Sequence, residues 1–321
     1  MMKVLVIGGA GYIGSHVCRE LLDAGHEVVV YDNLSSGLKE NLFTEALFVE
    51  GDILKPDELL TCAGEGFDAL IHLAAFKAAG ESMDKPGKYA VNNITGTINI
   101  LNTAVSAGIP RIVFSSSAAV YGELAYLPID EKHPTRPENF YGFTKLEIER
   151  FLEWYDKLKG IKYAALRYFN AAGYDPQGRI SGLERNPANL LPVIMETAAG
   201  MREKFDIYGD DYDTPDGTCI RDYIHVSDLA TGHLAALEYI SREEKSILVN
   251  LGSETGISVM EMLNSARRIT GKKIPADVTG RRPGDPAHLV SSAKLAKELL
   301  GWSATQSGVD SLVSTSWKAY S

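Results

Sequence analysis

The stretch YGFTK places Tyr141 and Lys145 four residues apart. In a helix, four residues is just over one turn, so the phenol and the ammonium would share a face. A phenol has a pKa of about 10 in water, too high for a base near neutral pH. A neighbouring cation favours the phenolate, and such a pair could work as a tuned acid/base. A hydroxyl stands upstream. FSSSAAVYG carries Ser117, 24 residues before Tyr141, at the end of an apolar run that reads as a strand. Its side chain could hydrogen-bond a reacting oxygen. Alone, a serine cluster is a turn and a Y-x-x-x-K is a surface helix. In this order, and behind a glycine-rich turn, the combination is specific.

That turn is VIGGAGYIGSH, directly after the first apolar run and at the start of the first helical pattern. Gly8, Gly11 and Gly14 make a G-x-x-G-x-x-G series. Glycines there permit a tight turn, close approach of a pyrophosphate to backbone, and close packing of helix on strand, with phosphate at the helix N-terminus. The second apolar run ends in VVYDN, so Asp32 lies 18 residues beyond Gly14, where an acid would grip a ribose 2′-hydroxyl, with Asn33 beside it. A carboxylate there repels a 2′-phosphate, which favours NAD over NADP. Asp52 and Ile53, after the third run, could flank the adenine. A positive nicotinamide ring beside Tyr141 would favour the phenolate further.

These groups need a frame. Apolar, β-rich runs at 3–9, 27–32, 46–52, 68–75, 111–117 and 162–170 alternate with helical patterns at 12–24, 56–63, 87–107 and 141–159. Near-continuous apolar strands alternating with helices predict a doubly wound parallel sheet covered on both faces, the Rossmann arrangement. After residue 170 the rhythm breaks into Gly, Pro, Asp and Asn. Strand and helix return at 223–240 and 246–252, and further helices follow near 258–270, 293–300 and 307–319. No repeat or Gly/Ser linker appears. The reading is an NAD-binding domain over 1–170, with 222–254 returning to it, and a smaller, interwoven α/β domain over 171–321.

Composition excludes other classes. Of 321 residues, 45% are hydrophobic, and 42 acidic residues against 32 Lys and Arg leave a net charge of −10. That argues against a nucleic-acid coat or a basic membrane patch. No apolar run approaches a membrane span. Cys18, Cys62 and Cys219 show neither metal spacing nor pairing, so no metal is expected and a reducing cytoplasm fits. His72 reads as a core histidine and His225 as a helix-entry residue.

GGAGYIGS, SSSAAVYG and YGFTK together resemble the extended short-chain dehydrogenase/reductase superfamily. HLAAFKAAGES (72–82), NNITGT (92–97), LRYFNAAG (166–173), NLLPVI (189–194), YGDDYDTPDGTCIRDYIHVSDLA (208–230) and GRRPGDPAHL (280–289) narrow the resemblance to its UDP-glucose 4-epimerases, over nearly the whole chain. The resemblance implies interconversion of UDP-galactose and UDP-glucose through a 4-keto sugar that turns over in the site, with NAD retained through each cycle. It implies that Tyr141 takes the 4-hydroxyl proton, that Lys145 lowers the phenol pKa and holds the nicotinamide ribose, and that Ser117 positions or shuttles the proton. Tyr12, Ile13, Asp32, Asp52, Ile53, Lys77, Asn92 and Phe169 match cofactor positions. Asn170, Asn189, Leu190, Arg221, Tyr223, Arg282 and Asp285 match positions around the UDP-sugar. The two arginines suit a diphosphate. Leu289 falls where the family varies and bears on sugar specificity. The resemblance also implies a homodimer paired through helices 87–107 and 141–159. Two rival readings are a nucleotide-sugar dehydratase or decarboxylase, and a non-enzymatic dinucleotide sensor. The first needs an acid after the strand-5 hydroxyl, where this chain has Ala118 and Ala119. The second has no need for Ser117, Tyr141 and Lys145 together.

Overall fold

The computed structural model describes residues 1–184, 187–282 and 285–321. Its strands are β1 (Lys3–Ile7), β2 (Glu27–Asp32), β3 (Leu47–Glu50), β4 (Ala69–His72), β5 (Arg111–Ser115), β6 (Lys162–Tyr168), β7 (Asn170–Ala172), β8 (Phe205–Tyr208), β9 (Ile220–His225), β10 (Ile247–Leu251), β11 (Gly256–Ser258), β12 (Ala276–Thr279) and β13 (His288–Leu289). Its helices are α1 (Tyr12–Asp23), α2 (Pro56–Ala63), α3 (Ala79–Asp84), α4 (Pro86–Tyr89), α5 (Gly96–Ala107), α6 (Phe140–Lys159), α7 (Leu190–Ala198), α8 (Val226–Glu243), α9 (Val259–Thr270), α10 (Lys294–Leu300) and α11 (Val309–Tyr320).

Seven strands form one parallel sheet in the order β10-β6-β5-β4-β1-β2-β3. The residues of β1 show why it is buried on both faces. Successive side chains of a strand point to opposite sides. Val4 and Val6 join a core with Val17, Cys18 and Leu21 of α1 and with Leu229, Leu237 and Ile240 of α8. Leu5 and Ile7 join another with Leu59 of α2, Ile100, Leu101 and Ala104 of α5, and Ile148 and Leu152 of α6. Strand order reverses between β1 and β4, which opens a crevice at the carboxyl edge of the sheet.

A smaller sheet, β11-β9-β13 with β7 paired to β9, continues from the large one. It shares a third core with α7, α9 and α11, built on Leu191, Ile194, Met262, Leu263, Leu312 and Val313. Strand β9 belongs to this sheet, so the chain returns to the large sheet's layers at Val226, with α8 and then β10. Ala293, Ala296 and Trp302 pack there too.

One predicted helix differs. The segment expected as a single helix over 87–107 is α4, a π turn over Ala90–Thr95, and α5. A π turn adds a residue to the hydrogen-bonded ring and so rotates the helix before it relative to the helix after it. Here Asn93 is turned inward, bonding Phe76 O at 3.0 Å and Thr144 Oγ1 at 3.1 Å, while Asn92 lines the crevice. Among the described residues, no helix is long and apolar enough to cross a membrane.

Candidate active site

A cavity of about 580 Å³ runs along the carboxyl edge of the large sheet. At one end lies the glycine-rich turn. Gly8 has φ 85°, and a Cβ there would meet Ala74 N at 2.7 Å. A Cβ on Gly14 would lie 2.1 Å from Gly8 O. Gly11 is the N-cap of α1 and brings no side-chain cap, so the first-turn N–H groups face the cavity with the helix dipole behind them. That is a cradle for an anion, lined also by Tyr12 and Ile13. The Tyr12 hydroxyl donates to Gly173 O at 2.5 Å, which ties the turn to the residue that follows β7.

At the end of β2, Asp32 is 8% exposed. Its Oδ2 accepts from Ala10 N at 3.0 Å and its Oδ1 from Leu34 N at 2.8 Å. Burial raises its pKa and these two bonds lower it. Each oxygen keeps a lone pair for a diol. Asn33 lines the same wall and donates through Nδ2 to Asp52 Oδ2 at 3.1 Å. Ile53 lines the main cavity, whereas Asp52 lines an adjoining recess with Asn33 and Asn92. Lys77 pairs with Glu184 across the cleft, and both line the cavity with Phe169. The fit to a dinucleotide is thus carried by a backbone cradle only glycine allows, an uncapped helix start and a buried carboxylate.

Ser117, Tyr141 and Lys145 lie together in this cavity. Asn139 starts α6, its Oδ1 accepting from Gly142 N at 2.8 Å, and Ser82 Oγ accepts the Tyr141 N–H at 3.0 Å. Tyr141 and Lys145 then project from one face of α6, the Lys145 Nζ 5.8 Å from the Tyr141 ring centroid. Lys145 is 3% exposed, and its Nζ donates to Ser115 O at 2.7 Å. Burial draws its pKa down to about 7, against a smaller upward pull from Glu149. Burial pushes the Tyr141 phenol upward, and the Ser117 hydroxyl pulls it back. The expected lowering of the phenol pKa by Lys145 is therefore not what sets it in this geometry. The ammonium spends a bond on Ser115 O, and loss of water around the phenol dominates.

The substrate-side residues divide. Asn170 and Asn189 line the cavity. Leu190, Arg221, Tyr223, Arg282, Asp285 and Leu289 do not, but β9 and β13 gather several of them beside it. Leu289 pairs in register with Arg221. The Arg221 guanidinium donates to Asp285 Oδ1 and to Pro286 O, each at 2.8 Å. Arg282 lies over the Tyr208 ring at 3.9 Å. Tyr223 is buried in the third core beside Leu191 and Ile257. Leu289 joins Ala118 and Phe169 in a small apolar cluster around Val120 and Tyr121, next to Ser117 in the chain. Leu190 opens α7.

His72 is buried, with Nε2 on Thr97 Oγ1 at 2.9 Å, and His225 caps α8 through Ser227 N. Sequence reasoning passed over Ser115, Ser116, Glu149 and Tyr168. Glu149 had a signal: it stands four residues beyond Lys145, on the same helical face. Glu184 had none, since it sits in an irregular segment.

Residues 4–252 match the sequence model of the NAD dependent epimerase/dehydratase family. A UDP-glucose 4-epimerase of Lacticaseibacillus casei is 45% identical over 98% of this chain and 96% of the relative. The crystal structure of UDP-glucose 4-epimerase from Brucella ovis in complex with NAD superposes with a TM-score of 0.97 at 42% identity, covering 100% of this chain and 98% of that one. The UDP-Glc/GlcNAc 4-epimerase of Campylobacter jejuni superposes with a TM-score of 0.89 at 37% identity, covering 100% and 99%.

Proposed function

The chain belongs to the NAD dependent epimerase/dehydratase family, and from that premise we infer that it interconverts UDP-galactose and UDP-glucose with NAD as its resident cofactor. The observation that carries this reading is the meeting of Ser117, Tyr141 and Lys145 in one cavity with the glycine cradle and Asp32. NAD, when bound, would supply the hydride acceptor and donor for C4, so the sugar undergoes no net oxidation.

The chain's residues supply the rest. Tyr141, as phenolate, takes the 4-hydroxyl proton when the C4–H bond breaks and gives it back to O4 when that bond reforms. Ser117 holds the same oxygen with its hydroxyl proton, since its Oγ already accepts from Ala119 N at 3.1 Å. Lys145 fixes the strand end beneath and would hold the nicotinamide ribose. Gly8, Gly11, Tyr12, Ile13 and Gly14 would take the pyrophosphate, Asp32 the adenosine ribose, and Asn33, Asp52 and Ile53 the adenine. Lys77, Asn92 and Phe169 would complete the cofactor's contacts. Arg221 and Arg282 would take the UDP diphosphate, with Asn170, Asn189, Leu190, Tyr223 and Asp285 around the UDP-sugar. Ala118 and Ala119 form a 3₁₀ turn after Ser117 and offer no acid or base for eliminating water. Residues 1–170 with the returning segment bind the cofactor and the rest of 171–321 binds the UDP-sugar, which Ser117 and Asn170 reach from the first part. We place the reaction in the cytoplasm, where three buried free thiols persist reduced. We assign a homodimer to the α5–α6 face, where Val105, Phe143, Trp154 and Leu158 are exposed apolar side chains.

Purified protein should convert UDP-galactose to UDP-glucose with no NAD added, and should elute at the mass of two chains. Denaturation should release NAD, because the Asp32 carboxylate repels a 2′-phosphate. Absence of turnover, or release of mostly NADP, would overturn this reading.

Sugar choice turns on Leu289. Leucine is smaller than an aromatic ring but larger than serine, and apolar pockets discriminate by only about 1–3 kcal/mol per methylene. UDP-galactose and UDP-glucose should be preferred, with measurable activity on the N-acetylated pair. Leu289→Tyr should suppress the N-acetyl activity selectively and Leu289→Ser should raise it. If neither changes the ratio of kcat/KM for the two pairs, Leu289 does not gate the pocket.

A further inference from the structure

Helix α6 grips the end of β5 at two successive residues just ahead of Ser117. Lys145 Nζ donates to Ser115 O at 2.7 Å, and Ser116 Oγ donates to Glu149 Oε1 at 2.5 Å. Glu149 lies one turn beyond Lys145 and is 6% exposed. Arg167, on β6, holds its carboxylate with two bonds, Nε to Oε1 at 2.9 Å and Nη2 to Oε2 at 2.6 Å. On the far side of Ser117, Gly142 of the same helix approaches so closely that a Cβ would lie 2.3 Å from Ala119 O. The backbone around Ser117 is thus held from both sides by the helix that carries Tyr141.

Stability alone is a poor account of this arrangement. The desolvation cost of a buried ion pair often matches its Coulombic gain, and apolar replacements of similar volume are frequently neutral or stabilising. Among the described residues, Arg167 Nη1 has no hydrogen-bond partner, so the network is not fully satisfied. What the paired guanidinium does accomplish is geometric. Two parallel bonds fix the plane of the carboxylate, and Oε1 is left aimed at Ser116.

We propose that Glu149 is a positioning residue: held by Arg167, it locks Ser116 and so sets the place of the Ser117 hydroxyl relative to Tyr141. This rests on the reading of Ser117 as a participant in the reaction. Both reacting side chains are then referenced to one rigid body, α6, rather than to a loop. Misplacement of a reacting group by about 1 Å can cost roughly 10²-fold in rate, so a link of this kind has a measurable consequence.

Ser116→Ala cuts the link and leaves the Glu149–Arg167 pair intact, whereas Glu149→Gln would strand the Arg167 charge. The holoenzyme of Ser116→Ala should retain NAD, keep its KM for UDP-galactose and lose about tenfold in kcat, a partial misplacement on that scale. In a Ser117→Ala background the same change should alter kcat by less than about twofold, because no hydroxyl remains to be placed. Parental kcat in Ser116→Ala, beside a clear loss in Ser117→Ala, would overturn the link alone. Equal losses in the two backgrounds would also overturn it, by showing a general loosening. Unaltered kcat in Ser117→Ala would remove Ser117 from the reaction and the proposal with it.

Discussion

Tyr141→Phe should lower turnover by about 10²-fold or more, the range for loss of a general acid–base group, while NAD stays bound. The phenol is the group placed to exchange the 4-hydroxyl proton. Tyr141 sits at the start of α6 with its backbone N–H on Ser82 Oγ, a bond that phenylalanine keeps along with the ring. Burial raises the phenol pKa, so the parent's rate should climb with pH as the phenolate forms. The variant should show no such limb. Released nucleotide from the denatured variant reads cofactor retention, and the UDP-galactose assay reads turnover. Near-parental turnover would remove Tyr141 from its role.

Lys145→Met should also be severe, by roughly 10²-fold at neutral pH, the scale for a misplaced reacting group, because it frees the end of β5 beneath Ser117, yet it should make the fold less costly to hold. The amine is drawn from an ordinary 10.5 to about 7 by burial. Between those values the unfolded chain binds a proton that the folded chain has released. Stability therefore rises with pH across that window, and the burden of the buried charge is fully present below about pH 7. Methionine carries no such burden. The melting temperature of the variant minus that of the parent should be largest below pH 7 and should shrink as pH approaches 10.5. The parent's pH–rate profile should carry an ionisation near 7 that the variant lacks. A temperature difference independent of pH, with an unchanged rate profile, would show that Lys145 does not titrate as its burial dictates.

The two variants probe different links of one chain of causes. Local pattern places Tyr141 and Lys145 on one helical face. Burial of that face against β5 then sets the energetic state of both groups, and burial is a tertiary quantity. The expectation that Lys145 would govern the phenol pKa came from proximity along the helix. In the folded chain the ammonium turns to Ser115 O, and the phenol is governed by loss of water, which raises its pKa, against the Ser117 hydroxyl, which lowers it.

Much of the architecture was legible because its signals are local. The runs that become β1, β2, β4, β5 and β6 carry apolar side chains on both faces, and a parallel sheet covered by helices on both sides buries them, whereas the edge strand β3 leaves Leu47 exposed. Gly8 and Gly14 announce a turn that no Cβ permits. Asp32 at the end of β2 and Ser117 beyond β5 fall at the carboxyl edge by strand position alone. The irregular stretch from 171 to 221 gave less, since helix α7 and strand β8 are held there by contacts distant in sequence. The π turn at Ala90–Thr95 was invisible as well, because it is held by Asn93 reaching Phe76 and Thr144, contacts that leave no local signal in the sequence.

By itself the sequence determined the order of elements, the glycine cradle and the residue types that can exchange a proton and bind a dinucleotide, because each of these depends on neighbours within one turn or one strand. Only the tertiary structure decided which of those residues share a cavity, that Asp52 lines a side recess, that Arg221 is bound to Asp285, and that Glu149 and Arg167 stand behind Ser117. These depend on how β5, β6, β9 and α6 meet, and a spacing along the chain carries no record of contacts made across strands far apart in sequence.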